Sequence, residues 1–399
     1  MSLDFTNKVP VRKNPKATAI GRTIRTRSGH FAKSQQTNLV QNRAAIESAI
    51  HTRSGLSRNY STIKSEGFTM SKTIKSMLLT LFAIGFVLAM TACGSGKAEE
   101  SKKVVIYTNA DEEAVASMEA ALKNAGYDGK YVLQSLGTSE LGGKLMAEGG
   151  KIEADLITMS SYFIESSQSQ YSMYKDLSFT TDALESYPSY STPILANTGS
   201  IFVNTEVLKQ KGLPMPTSIK DLTKPEFKGL VSIPNIMDSS TGWLLVQAII
   251  SQYGQEEGKT VLHDLIANVG PHLESSGSGP IKKVQAGEVA AGFGLRHQAV
   301  KAKASGAPID YVDPAEGNFS LTESVAVVDK KNAVTDLAMK MAETIIKDAR
   351  KDLITNYPVA LYKGETVENA NQPAHPMKFV EPLTVELLKK HQEFFKAAQ

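Results

Sequence analysis

Cysteine and tryptophan each occur once in the 399 residues, as Cys93 and Trp243. A lone thiol has no partner, so the chain folds without an internal disulfide. No apolar run reaches the roughly 20 residues that a membrane-spanning helix needs. The short motifs of common enzymes are missing as well: no Gly-x-Ser-x-Gly elbow, no His-Glu-x-x-His pair, no Walker loop and no Gly-x-Gly-x-x-Gly turn. Gly277-Ser-Gly279 is followed by Pro280 with no base placed by sequence, and His263, His272 and His375 lack metal-ligand spacing. The expectation is a protein that is not an enzyme, with no catalytic residue, no metal and no cofactor. There is neither an internal repeat nor a low-complexity block.

What is present gathers around Cys93. Met77 to Met90 is apolar except for Thr80 and Gly85 and follows Lys72 and Lys75, the layout of a signal-peptide core. Thr91-Ala92-Cys93 resembles the lipobox of bacterial lipoproteins, with Met90 where that family usually has Leu. The resemblance implies a signal peptide over 70–92, a diacylglycerol on Cys93 and a lipidated tether over 93–102. Two or three acyl chains would hold a folded domain firmly at a membrane surface, where one binds only marginally. The expected place is outside the cytoplasm, anchored to the cell membrane or, in a two-membrane cell, on its periplasmic face.

Residues 1–69 carry 12 Lys or Arg, from Lys8 to Lys64, against Asp4, Glu47 and Glu66. So basic and weakly apolar a stretch reads as a disordered leader. Met70 is taken as the biological start, with the leader outside the mature protein. Setting aside those residues and the two signal lysines leaves 30 of the 44 basic and 38 of the 41 acidic residues from Cys93 onward, a net charge of −8. An acidic mature chain argues against a nucleic-acid partner.

From 103 onward, apolar strands alternate with helical stretches. Lys103 to Asn109, Lys130 to Gln134 and Ala154 to Thr158 read as strands, with helices between them and a second α/β segment after Pro193 to Asn204. Ser239-Ser-Thr241 opens a long apolar helix, and 322–328 reads as a strand crossing back toward the first lobe. The expected fold class is α/β, two lobes with a ligand cleft between them and two crossing strands. Lobe 1 is assigned to 103–198 and lobe 2 to 199–320. The return strand and C-terminal helices fall in 321–399. Ligands of such sheets sit beyond the C-terminal strand ends.

Val105-Ile-Tyr-Thr108, Leu145-Met-Ala-Glu-Gly-Gly150, Gly277-Ser-Gly-Pro280, Gly287-Glu-Val-Ala-Ala-Gly292, and Gly306-Ala-Pro308 with Pro314-Ala-Glu-Gly317 together resemble the extracellular solute-binding proteins of ABC importers. The similarity is to the type II periplasmic-binding-protein group that takes ferric iron, thiamine or 2-aminoethylphosphonate. It implies a monomer that closes on a small ligand and docks on an ABC permease with its ATPase.

Polar residues at expected strand ends are the candidate ligand residues: Thr108, Asn109, Thr138, Ser139, Ser160, Ser161, Ser239, Ser240 and Thr241. Helix N-termini and hydroxyls suit an oxyanion, although Ser, Thr and Asp are also ordinary N-caps. Arg296 after Phe293-Gly-Leu295 is a two-pronged grip for a phosphonate, phosphate or carboxylate, with His297 beside it. The ferric-binding relatives commonly present adjacent tyrosines, and the 13 tyrosines here include no Tyr-Tyr pair. An organic anion, 2-aminoethylphosphonate by resemblance, is therefore expected, with Asp238, Glu316 or Glu323 meeting its ammonium. Thiamine would want aromatic surfaces; Trp243 reads as core, and Tyr107 and Tyr162 as pocket or packing residues.

Overall fold

The computed structural model describes residues 102–368 and 372–399. The leader, the signal peptide and Cys93 lie outside the described residues, and so does nearly all of the tether.

The elements, in chain order, begin with β1 (Val104–Thr108), α1 (Glu112–Asn124), β2 (Tyr131–Ser135), α2 (Thr138–Glu148), β3 (Leu156–Ser160), α3 (Ser161–Tyr171), β4 (Tyr174–Lys175) and β5 (Ser191–Asn204). They continue with α4 (Thr205–Lys211), β6 (Val231–Pro234), α5 (Ser240–Val269), β7 (Leu273–Glu274), α6 (Gly279–Gln285), β8 (Ala291–Leu295) and α7 (Arg296–Ala304). The last are β9 (Ile309–Val312), β10 (Asn318–Val328), α8 (Ala333–Thr344), α9 (Arg350–Asn356), β11 (Pro376–Met377) and α10 (Val385–Ala397).

The strands are ordered β2-β1-β3-β10-β5-β8-β6-β7. β1 pairs in parallel with β2 and β3, and β6 pairs in parallel with β8, so each half of the sheet has its own βαβ units. β5 and β10 are the long antiparallel connectors. Residues Ser191 to Thr198 of β5 lie beside β10 in the first half, and Gly199 to Val203 lie beside β8 in the second. The chain thus leaves the first half along β5 and returns along β10, as two crossing strands require.

Packing follows the residue pattern. β3 is buried throughout and β5 nearly so, because helices cover both faces. On α1 the buried Ala114, Met118, Ala121 and Leu122 form one stripe at helical spacing and pack with Leu156, Val325 and Val327. Asp111 caps this helix by accepting from Ala114 N, and Asn204, Asn332 and Thr384 do the same for α4, α8 and α10. α5 breaks at Gly254, whose φ of 68° lies where a side chain is disfavoured.

Trp243 is fully buried and donates its indole N–H to His391 Nδ1 at 2.7 Å. Burial pushes that histidine down to about 4, which keeps the acceptor nitrogen bare. Trp243 is a core residue, as its sequence context implied. The strand beginning at 322 in the sequence reading starts four residues earlier, at Asn318, and the short β7, β9, β11, α4 and α6 have too few residues to show a period. Among the described residues no helix is long and apolar enough to cross a membrane.

Candidate functional site

The two halves of the sheet meet over a pocket of about 240 Å³ at the C-terminal ends of β1, β2 and β8. One wall comes from Asn109 to Asp111 and Ser135 to Thr138. The other comes from Asp238 to Thr241 and Ser275 to Ser278, and Asn197 and Glu323 from the crossing strands form the floor. The walls touch directly. Ser139 donates its hydroxyl to the Met237 carbonyl at 2.6 Å and its N–H to the Asp238 carbonyl at 3.3 Å. Gln298 reaches Glu113 at 3.4 Å across the same seam.

Hydroxyls dominate the walls, and some are oriented by amides. Thr138 Oγ1 accepts from Asn109 Nδ2 at 3.0 Å and lies 3.5 Å from Ser240 Oγ; Ser278 Oγ accepts from Gln298 Nε2 at 2.9 Å. A hydroxyl that accepts from an amide keeps its own proton to donate. Ser239 also serves as an ordinary cap, accepting from Thr241 N. Gly277 permits the close approach of its loop: a Cβ there would lie 2.2 Å from Thr241 Oγ1.

A bulge shapes the floor. Glu323 pairs with Leu195 and Ser324 with Pro193, so Ile194 is left over in β5. Pro193 brings no N–H to the ladder. The displaced carbonyls are satisfied from the C-terminal segment, Ile194 O by Arg350 at 3.2 Å and Pro193 O by the Tyr362 hydroxyl. Glu323 is 2% exposed and accepts on Oε1 from Asn109 Nδ2 at 3.3 Å and Asn197 Nδ2 at 3.1 Å, while Oε2 has no partner. Burial and then the neighbouring charge of Asp111 push its carboxyl up to about 8. Burial also raises Asp111, yet His297, the Tyr357 hydroxyl and Ala114 N outweigh it and hold that group low.

Of the residues singled out in the sequence, Asn109, Thr138, Ser239, Ser240 and Thr241 come together in this pocket, with Ser139 at its seam. Ser160 stands directly opposite Glu323 in the β3–β10 pair, on the same face of the sheet. His297 packs against Tyr357 with ring centres 4.1 Å apart and planes tilted by 50°, and its Nε2 lies 3.5 Å from Asp111 Oδ2. Four expectations change. Thr108 is fully buried, accepting from Thr158 and Ala110 N, and serves the strand end. Ser161 bonds Thr322 O and Ser324 and lines a separate cavity behind the crossing strands. Arg296 does not hold out its fork to the cleft, because Asp313 fills it at 2.7 and 3.0 Å and Tyr311 lies under it. Glu316 caps the backbone of Ile219 and Lys220 and accepts from Tyr253, so it is not an ammonium partner.

Asn197, Asp111 and the Ser275 to Ser278 loop were not read as site residues, and Glu323 was only one of three carboxylates for an ammonium. A single amide and a single carboxylate embedded in apolar strands, Leu195-Ala-Asn197 and Glu323-Ser-Val325, were the available signal. Among the described residues lining the pocket there is no Lys or Arg and no aromatic side chain, while Asp111, Asp238 and Glu323 are all there.

Residues 153–381 match the family described as bacterial extracellular solute-binding protein. A protein of Haemophilus influenzae described as uncharacterised is 30% identical over 144 residues, 34% of this chain and 41% of that protein. The chain therefore spans about two-fifths of the length of that curated relative. The substrate-binding protein of an ABC transporter from Agrobacterium tumefaciens has a similar fold, with TM-score 0.62, 16% identity and coverage of 76% of this chain and 95% of that one. So does AfuA of Actinobacillus pleuropneumoniae, a periplasmic binding protein with fructose-6-phosphate bound, at TM-score 0.56, 20% identity, 75% and 94%. A periplasmic thiamin-binding protein is similar at TM-score 0.59, 14% identity, 77% and 97%.

Proposed function

The chain belongs to the bacterial extracellular solute-binding proteins and has their type II periplasmic-binding-protein fold, and we propose that its cleft captures a small organic oxyanion, 2-aminoethylphosphonate or a related phosphonate. As a member of that family it is the substrate-binding component of an ABC importer. It holds a small molecule and interacts with a membrane permease, and it works outside the cytoplasm. A lipid on Cys93 would keep it beside that permease, a reading that rests on the sequence alone.

The observation that carries the ligand class is the wall of oriented hydroxyls. Thr138, Ser240 and Ser278 surround one small space, with amides fixing Thr138 and Ser278 so that their protons are left for an acceptor. Its volume corresponds to about eight water molecules. A ligand of a few heavy atoms fits that space, and thiamine finds no aromatic surface in it. One observation favours a second reading: Asp111, Glu113 and His297 offer three ligand atoms within 4.8 Å of one another, a donor set that a metal ion would accept. The same screen separates the two.

Thermal denaturation with 2-aminoethylphosphonate, phosphate, thiamine and ferric citrate tests the proposal, because a ligand that binds the native state raises Tm by mass action. A rise with the phosphonate is expected. A rise only with ferric citrate would replace this reading with the metal one.

A further inference from the structure

The cleft floor is chemically unlike its walls. Glu323 Oε2, Asn109 Oδ1 and Asn197 Oδ1 are all buried and without a hydrogen-bond donor. The arrangement itself causes this, since both amides turn their Nδ2 toward Glu323 Oε1 and so present their oxygens elsewhere. A buried acceptor left unmet is destabilising, and a donor brought by a ligand would relieve it. The pocket also contains the carboxylates of Asp111 and Asp238, with no Lys or Arg among its described lining residues. A plain anion would meet the carboxylates of Asp111 and Asp238 there, with no Lys or Arg to oppose them.

We infer that Glu323, Asn109 and Asn197 form an ammonium site and that the ligand is a zwitterion, its primary ammonium on this floor and its oxyanion against the hydroxyl walls. An ammonium carries three N–H donors, and these three lining residues hold three buried oxygens that lack a donor. Its charge also answers the negative lining. The anionic half of this inference rests on the proposed function; the ammonium half rests on the floor alone, and the two are separable by experiment.

The test uses matched pairs that differ only in the amine: 2-aminoethylphosphonate with ethylphosphonate, taurine with ethanesulfonate, and β-alanine with propionate. Calorimetric titration of the protein is expected to show the amino member of the phosphonate pair binding about 10- to 100-fold tighter, the range of a charged hydrogen-bonded contact. Glu323→Gln should collapse that ratio toward one. An equal affinity for ethylphosphonate in the native protein would overturn the ammonium site and leave the oxyanion reading standing. Preference for an amino member of another pair, with no phosphonate binding, would keep the ammonium site and overturn the phosphonate. Absence of amine discrimination in every pair overturns the inference, and it needs no variant to be seen.

Discussion

The Ser139 hydroxyl is bonded to the Met237 carbonyl at 2.6 Å, joining the start of α2 to the loop before α5 across the mouth of the cleft. The two residues come from opposite halves of the sheet, so any parting of those halves would break the contact. Ser139→Ala removes one hydrogen bond worth about 0.5–1.5 kcal/mol net. Ligand release is expected to quicken by about two- to tenfold, with the association rate little changed. Stopped-flow dissociation measures it, and an unaltered off-rate would show that this bond does not hold the cleft shut.

Arg296 and Asp313 form a buried pair with exposures of 4% and 10%. Burial raises the Asp313 carboxyl, but Arg296, Ala374 N and Asn318 together hold it below the usual range. Removing the arginine leaves that carboxylate without its counter-charge, a loss of about 3–5 kcal/mol. Arg296→Ala should therefore lower Tm by several degrees while the folded fraction keeps its ligand affinity. Lost affinity at unchanged Tm would return Arg296 to the binding site.

The misreading of Arg296 shows where sequence stops being informative. The main strands and helices were legible, since β1, β3 and β8 are continuous apolar runs ending in polar residues and α5 opens on a run of hydroxyls before an apolar stretch. The residues at those strand ends, Asn109, Thr138 and Ser239 to Thr241, reached the cleft for the same reason. Partners distant in sequence were not legible. Asp313 is 17 residues from Arg296, and Glu316 meets Ile219 N only through the fold. Asn197 and Glu323 become a floor only because β5 and β10 pair around a bulge, so mid-strand positions open onto a pocket.

Gly277 gives a sharper test of the hydroxyl wall. Gly277→Ala places a methyl group 2.2 Å from Thr241 Oγ1 and 3.4 Å from Ser239 Oγ, so the threonine hydroxyl must move. Affinity for the oxyanion ligand is expected to fall about tenfold, the worth of roughly one good hydrogen bond. Thr241→Val should match it by deleting the same hydroxyl. Full affinity in both variants, read by titration calorimetry, would remove Thr241 from the wall.

Glu323 also makes the protein pH-dependent in a defined direction. Its carboxyl is raised from 4.5 to about 8, by burial and then by Asp111, against the bonds from Asn109 and Asn197. Tyr162 and Tyr357 also feel its charge, His297 acts on it through Asp111, and Ser160 faces it from β3. Between those two pH values the folded protein binds a proton that the unfolded chain has released, so stability falls as pH rises across the window, by about 1.4 kcal/mol per unit from this group. Glu323→Gln should remove that part of the slope in urea unfolding at a series of pH values. A bound ammonium reverses the preference, favouring the carboxylate. Binding of a zwitterion at pH 6.5 must then release up to one proton, and affinity must climb with pH until about 8. Calorimetry in two buffers of different ionisation enthalpy counts that proton directly. Native protein that releases none, or a Glu323→Gln variant that releases as many, would show that the carboxyl on the floor is not the group that answers the ligand's charge.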